Sequence, residues 1–214
     1  MNRLAFFIFF ILALPIPSFS QFEGMVAYEV TYEAIDNSKK EMLSMLPKKS
    51  LLYVKGELSL FEQEVAGGGK QAFYIDAGRG SGILIMQFLG QGYKVEMSQE
   101  ELETLKKAKE LEIIPTEEKK TISGYECEKA LAISDSDTLE IYYSTELMSN
   151  SSFPPFSNID GIPLKYELIR GGVKMTYTAV EVKETTIEES IFIAAPDMQT
   201  MKFEDFARSF AIPQ

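Results

Sequence analysis

After residue 20, hydrophobic and polar residues alternate with period two along most of the chain, and glycines mark where the alternation restarts. The pattern is clearest over residues 161–182, where two alternating runs flank Gly171 and Gly172. A two-residue glycine loop between such runs predicts a hairpin. One face then pairs Leu168 with Met175, Tyr166 with Tyr177 and Leu164 with Ala179. The other pairs Ile169 with Lys174, Glu167 with Thr176 and Lys165 with Thr178. A slip of one residue would set Leu168 against Lys174, so turn and alternation agree on a single register.

The same alternation predicts strands over residues 25–33, 51–55, 58–65, 71–76, 83–89 and 93–97, parted by Gly56, Gly67–Gly69, Gly78–Gly82 and Gly90–Gly92. Residues 36–46 change period. Met42, Met45 and Leu46 are spaced for one helical face and Pro47 stops it, which reads as a short helix or loop. Residues 98–111 predict a helix, with Ser98 and Glu101 as a capping box and Leu102, Leu105, Ala108 and Leu111 as a narrow apolar stripe. After Pro115, strands are expected over 120–123, 126–134, 138–144 and 191–194, with a loop over 149–158. Residues 201–210 put Phe203, Phe206, Ala207 and Phe210 on one helical face. About nine strands joined by short turns exclude a parallel sheet, which needs a crossover between most neighbours. The expected fold is mainly β: a single curved antiparallel sheet or half-barrel covering two or three helices, in one domain over 21–214.

Residues 1–20 stand outside this pattern. Arg3, the unbroken apolar run 4–14, and Ser18 and Ser20 after Pro17 read as a cleaved signal peptide. The apolar run is too short to span a bilayer, so no transmembrane segment is expected in the mature chain. The only cysteine is Cys127, so no lipid attachment at Gln21 and no internal disulfide are expected. The net charge of −11 repels nucleic acid and anionic lipid headgroups, so neither is expected as a partner. The absence of histidine removes the commonest general base and transition-metal ligand.

Candidate chemistry is correspondingly thin. Cys127 is flanked by Glu126 and Glu128, the wrong charges to stabilise a thiolate. Asp135, Asp137 and Glu140 lack the glycine and distal glutamate of a calcium loop and read as turn residues. Gly69-Lys70 is followed by Gln71, and Gly78–Gly82 leads into a strand, so neither is a phosphate loop. No catalytic residue, metal or cofactor is expected. What stands out is surplus apolar surface: Ile83, Ile85, Met86 and Phe88 offer side chains to both faces of one strand, and Met42, Met45 and Leu46 add an adaptable surface. With Tyr166 and Tyr177 these form the candidate hydrophobic ligand site. The competing reading has the helices over 98–111 and 201–210 covering them.

Residues 121–130, TISGYECEKA, and 160–166, DGIPLKY, resemble an uncharacterised family of exported bacterial proteins related to those named for a GLPGLI motif. Residues 192–201 fit that family's C-terminal end more loosely, and the order of elements follows from Phe22 to Phe210. These proteins are similar in fold to periplasmic lipoprotein carriers, whose curved sheet wraps helices and shelters acyl chains. The resemblance implies a fold and supplies no catalytic residues. The expectation is a non-catalytic, monomeric, periplasmic or secreted binding or carrier protein for a lipid or lipoprotein acyl chain in a Gram-negative envelope. The alternative is a protein-interaction module in envelope assembly, using a sheet edge or the loop around Asn150. An enzyme is disfavoured by the missing histidine.

Overall fold

A computed structural model describes residues 21–65, 67–88, 91–107, 111–133, 137–149, 156, 159–194 and 198–209, apart from the side chains of Phe88 and Lys106. The expected signal peptide over 1–20 lies outside them, as do Ala108, Asp135, most of the loop over 149–158 and Phe210.

Among the described residues, twelve strands form one sheet. In chain order they are β1 (Glu23–Ala34), β2 (Lys49–Lys55), β3 (Leu58–Val65), β4 (Gly69–Asp76), β5 (Ser81–Phe88), β6 (Gln91–Met97), β7 (Glu112–Ile122), β8 (Tyr125–Ile133), β9 (Thr138–Ser144), β10 (Ile162–Arg170), β11 (Val173–Glu184) and β12 (Gln199–Thr200). Across the sheet the order is β12-β6-β5-β4-β3-β2-β1-β11-β10-β9-β8-β7. Two meanders are thus joined where β1 pairs with β11. Every neighbour is antiparallel except the two-residue parallel pairing of β12 on β6. Helix α1 (Gln99–Lys107) follows β6, helix α2 (Phe203–Ser209) ends the described chain, and 3-10 helices run over Asn37–Met45 and Glu189–Phe192.

The glycine hairpin adopts the expected register, with Tyr166 opposite Tyr177 and Leu168 opposite Met175. Its ladder ends at Lys165 and Thr178, one residue short of the Leu164–Ala179 pair. Gly171 and Gly172 take φ of +58° and +78°, the two left-handed residues that a type I′ turn requires. Only part of the expected wet face is open, because Glu167 is buried there and paired with Lys174 at 2.9 Å.

Three expectations are corrected. Residues 191–194 are no strand: local bonds from the Ile191 N–H to the Glu188 carbonyl and from the Ile193 N–H to the Ser190 carbonyl close a 3-10 helix over Glu189–Phe192, and Phe192 and Ala194 pack on the cluster of Leu60, Ala72 and Ile85 from three strands. β7 begins at Glu112, before Pro115, and not at residue 120. The proline is tolerated because β7 is the edge strand and its register breaks between Pro115 and Lys119. The helix from Ser98 ends at Lys107 within the described residues, and Leu111 packs instead against the central cluster beside β7.

The sheet curls strongly. The Ser123 hydroxyl, in the β7–β8 turn, donates to the Ala179 carbonyl of β11 at 2.8 Å, reaching past β9 and β10. The Tyr28 hydroxyl donates to the Pro163 carbonyl at 2.8 Å, reaching past β11. The inner face carries Val26, Tyr28 and Val30 of β1, Leu52 and Val54 of β2, Tyr177 of β11, Tyr166 of β10 and Ile141 of β9, all in one buried cluster. The chain after β11 wraps the other half. The Ile187 N–H donates to Glu23 at 2.8 Å, Phe192, Ala194 and Met198 pack on the outer face, and β12 turns the edge at β6 so that α2 lies on the inner face.

Candidate functional site

The nine residues singled out from the sequence fall in separate parts of this sheet. Tyr166 and Tyr177 stack at 4.5 Å between ring centroids, with Tyr28 edge-on to both and Phe156 edge-on to Tyr166. Burial pushes the hydroxyls of Tyr28, Tyr166 and Tyr177 above the ordinary tyrosine range, so all three stay neutral. This is a plug filling the middle of the inner face. Met86 lies on the same face, in the cluster that Leu105 of α1 and Phe203, Phe206 and Ala207 of α2 close over. Ile83 and Ile85 point the opposite way and are covered by Phe192, Ala194 and Met198. Met42, Met45 and Leu46 sit in and beside the 3-10 helix over Asn37–Met45, which buries none of its residues. Phe88 is in β5, and its side chain lies outside the described residues. The structure brings Tyr166 to Tyr177 and Ile83 to the cluster of Ile85, but it does not bring the nine together.

An open cleft lies elsewhere on the inner face. Leu111, Glu112, Ile113, Pro115, Glu128, Tyr143, Thr145, Ile159 and Asp160 line a recess of about 670 Å³. The ladders explain its shape: Ile113 pairs with Ala132 and Pro115 with Ala130, so small residues on β8 leave room between the edge strand and Tyr143. The register break after Pro115 then bends β7 away from its partner. Leu111, Ile113, Pro115 and Ile159 give the recess apolar walls, and Glu112, Glu128 and Asp160 give it an acidic rim. The Tyr143 hydroxyl donates to Glu128 at 3.3 Å. Burial raises that hydroxyl, and the Glu128 and Asp160 carboxylates raise it further, so Tyr143 is a fixed neutral donor. Such a site holds an apolar body and disfavours an anionic head. A second recess of about 550 Å³ on the outer side is lined by Glu57, Asp76, Arg79, Glu189 and Ile193 among others, and includes Ile83.

The other candidates are spoken for. Cys127 is buried, and its thiol is pushed up to about 11 by burial, with Glu146 and Glu126 adding to the effect against a bond from the Ile122 backbone. A thiol held protonated is a poor nucleophile. Glu140 pairs with Lys129 at 2.8 Å and Lys165 at 3.9 Å, leaving it no free charge for calcium. Among the described residues no three acidic or sulfur groups converge on a metal-sized site. On the outer face Lys120, Lys129 and Lys165 surround the Tyr142 ring at 5.8, 5.6 and 5.4 Å, and Glu118 accepts from the Tyr142 hydroxyl at 2.8 Å. Hydrogen bonds to Glu140 and Glu118 raise Lys129 above its usual range, so this is a closed ion-pair network.

The cleft residues come from four separate stretches of chain, which no local spacing links. The one signal in the sequence is the apolar pair Ile113-Ile114 ahead of Pro115, with the largely apolar residues 139–143 further along the chain.

A family model for the N-glycanase peptide, N-terminal domain, matches residues 71–204. Among solved structures, that of PNGF-II in a C2 crystal is similar at a TM-score of 0.56 and 15% identity, over 88% of this chain and 33% of that one. The chain therefore spans about a third of the length of PNGF-II. An uncharacterized conserved protein from Thermus thermophilus aligns at a TM-score of 0.43 and 14% identity, over 84% of this chain and 91% of that one. The Pseudomonas aeruginosa MucA/MucB complex aligns at 0.40 and 10% identity, over 83% and 58%. No curated protein matches the chain. At these identities the likeness to PNGF-II is one of fold.

Proposed function

The chain belongs to the family of the N-glycanase peptide, N-terminal domain, and on that premise we propose that it is a non-catalytic binding module that holds an apolar ligand in the cleft beside Ile113. The observation that carries this is the cleft itself: a recess with apolar walls and an acidic rim on the inner face of a curled sheet, of a volume usual for ligand sites. The ligand class is an acyl chain of a lipid or lipoprotein whose head is neutral or cationic, since Glu112, Glu128 and Asp160 would repel a carboxylate. The activity that the family's name carries is not transferred to this chain, which spans about a third of PNGF-II.

The module acts outside the cytoplasm, in the periplasm or secreted, as residues 21–214 after removal of 1–20. Its likeness to exported GLPGLI-related proteins over 121–130 and 160–166 belongs to the same proposal. Among the described residues no helix is long and apolar enough to cross a membrane. The alternative, an interaction module docking on a sheet edge, has less to use: β7 carries Pro115, a register break and four successive charged residues over 117–120, and β6 is capped by β12.

The test is titration of the chain from Gln21 with a fluorescent phosphatidylcholine analogue. Saturable enhancement that is displaced by unlabelled lipid and lost in Ile113→Asp is expected. A signal that never saturates, or one that Ile113→Asp leaves intact, sinks the assignment. A crosslinked envelope protein without lipid points to the alternative.

A further inference from the structure

We propose that residues 35–49 form a docking patch for an anionic bilayer surface. The backbone of this stretch is tied at both ends. The Ile35 and Asp36 N–H groups donate to the Gly172 carbonyl at 2.9 and 3.0 Å, Asp36 caps the 3-10 helix by accepting from the Ser38 N–H at 2.9 Å, and the Tyr32 hydroxyl donates to the Pro47 carbonyl. A segment so fixed has the means to turn its apolar side chains inward. Instead Ile35, Met42 and Met45 are 57%, 43% and 62% exposed. The other exposed large apolar residues, Ile114, Met148, Val180 and Ile193, are spread singly over distant strands and loops.

What covers the patch is indicated by charge. The same fifteen positions hold Lys39, Lys40, Lys48 and Lys49 against Asp36 and Glu41, in a chain whose net charge is −11. None of the four lysines is within ion-pair distance of a carboxylate among the described residues, whereas Lys129, Lys165 and Lys174 are. Exposed methionine and isoleucine set among lysines match the boundary between acyl chains and anionic headgroups. A protein partner of the same shape would have to be an acidic, apolar surface, and a second copy of this patch is excluded by its own like charge. The patch stands at the end of the sheet where β1 finishes and β7 begins, so docking there turns the Leu111 and Glu112 end of the cleft toward the bilayer.

The overall negative charge gives the proposal a distinctive salt dependence. At about 0.01 M salt the screening length is roughly 30 Å, and the repulsion of the whole acidic chain is felt. At about 0.15 M it is roughly 8 Å, and the local lysines prevail. Above that range their attraction is screened too. Binding to anionic vesicles therefore passes through a maximum as salt rises.

The experiment is co-sedimentation of the chain from Gln21 with vesicles of phosphatidylglycerol and phosphatidylcholine, or of phosphatidylcholine alone. Binding to the mixed vesicles only, with a salt maximum, is expected. Each lysine near the surface contributes about fivefold to the partition coefficient, so K40Q/K48Q together lose at least about tenfold. M42S/M45S lose severalfold, and both variants keep the wild-type melting temperature, since all four positions are exposed. Absence of sedimentation, equal binding to phosphatidylcholine, or unchanged binding by both variants overturns the proposal. So does a dimer in sedimentation velocity that M42S/M45S dissolves, because a second copy is then the occupant. The proposal does not rest on the cleft: Ile113→Asp is expected to bind vesicles as wild type, and a loss there also overturns it.

Discussion

The two ends of the inner face are built from the same alternation and end up different. At one end Leu84, Val95 and Met97 lie under Leu105, Phe203, Phe206 and Ala207, sealed by helices. At the other, Ile113, Pro115, Tyr143 and Ile159 line an open recess. The difference lies in the connections. α1 leaves β6 directly, and β12 pairs with β6 before α2 begins, so both apolar helical stripes are delivered over the same strands. No described helix follows β7, β8 or β9. An apolar strand face thus stays open where no described helix is carried back across it.

Deleting one side chain at each end tests this contrast most severely. Phe206→Ala opens a void in a sealed cluster and is expected to cost about 3–5 kcal/mol. Ile113→Ala, at a position already half-open, is expected to cost about 1 kcal/mol or less. Urea unfolding of the two variants measures both. Equal losses would mean that the recess is as closed as the helical end, and the distinction would fall.

Between the two ends sits the tyrosine plug, which responds to pH. Burial raises Tyr28 and Tyr166 above their ordinary value of 10.0. For such groups the folded chain holds the proton more tightly than the unfolded one. Their stabilisation is complete below the unfolded value and is lost as pH rises above about 10. The expected outcome is cooperative alkaline unfolding in which tyrosinate absorbance and loss of β circular dichroism rise together. Tyrosinate forming fully while the sheet stays folded would show the plug to be wet, and the middle of the inner face would then belong with the open end.

Most of the sheet was legible because its side chains obey one period. β3 and β9 fall at the residues the alternation predicts, and Gly171-Gly172 set a register that β10 and β11 adopt. Errors arose where tertiary context outweighed local signal. Phe192 and Ala194 look like a strand because they are apolar, but they are apolar in order to cover Leu60, Ala72 and Ile85. Pro115 looks like a stop, yet an edge strand with a broken register needs no N–H there. The doubly apolar β5 was visible, and the alternative that helices cover it holds for Leu84 and Met86 on one face, while Phe192, Ala194 and Met198 cover the other. The cleft was invisible because it depends on the small size of Ala130 and Ala132, which matters only once β7 is known to lie beside them.

A smaller effect is expected within the sealed end alone. Ser98 closes a reciprocal cap: its N–H and hydroxyl donate to the Glu101 carboxylate at 2.8 and 2.7 Å, and the Glu101 N–H faces the Ser98 oxygen at 3.4 Å. Ser98→Ala is expected to cost about 1 kcal/mol. Because α1 holds Leu102 and Leu105 against the sheet, the loss should appear as faster amide exchange in α1 and β6, with β7 to β9 unchanged. Exchange accelerating equally at both ends would show that the two regions open together.

The smallest change in stability belongs to the rim of the open end. Glu128 accepts from Tyr143 at 3.3 Å and lies 4.0 Å from Lys119, so Glu128→Gln keeps an acceptor for the tyrosine and removes one negative charge. At a surface position this should alter unfolding free energy by no more than about 0.5 kcal/mol. Its effect on binding is larger, because a charge near the bound head group acts through a partly apolar recess. A change of about threefold to tenfold is expected for a charged ligand and none for a neutral one. A cationic amphiphile should weaken, a fatty-acid carboxylate should strengthen, and a neutral lipid should bind as before, all read by displacement of the same fluorescent analogue. If all three shift together, Glu128 shapes the recess by packing. If none shifts, the ligand's head lies away from this rim, and the acidic border has no part in choosing what the open end holds.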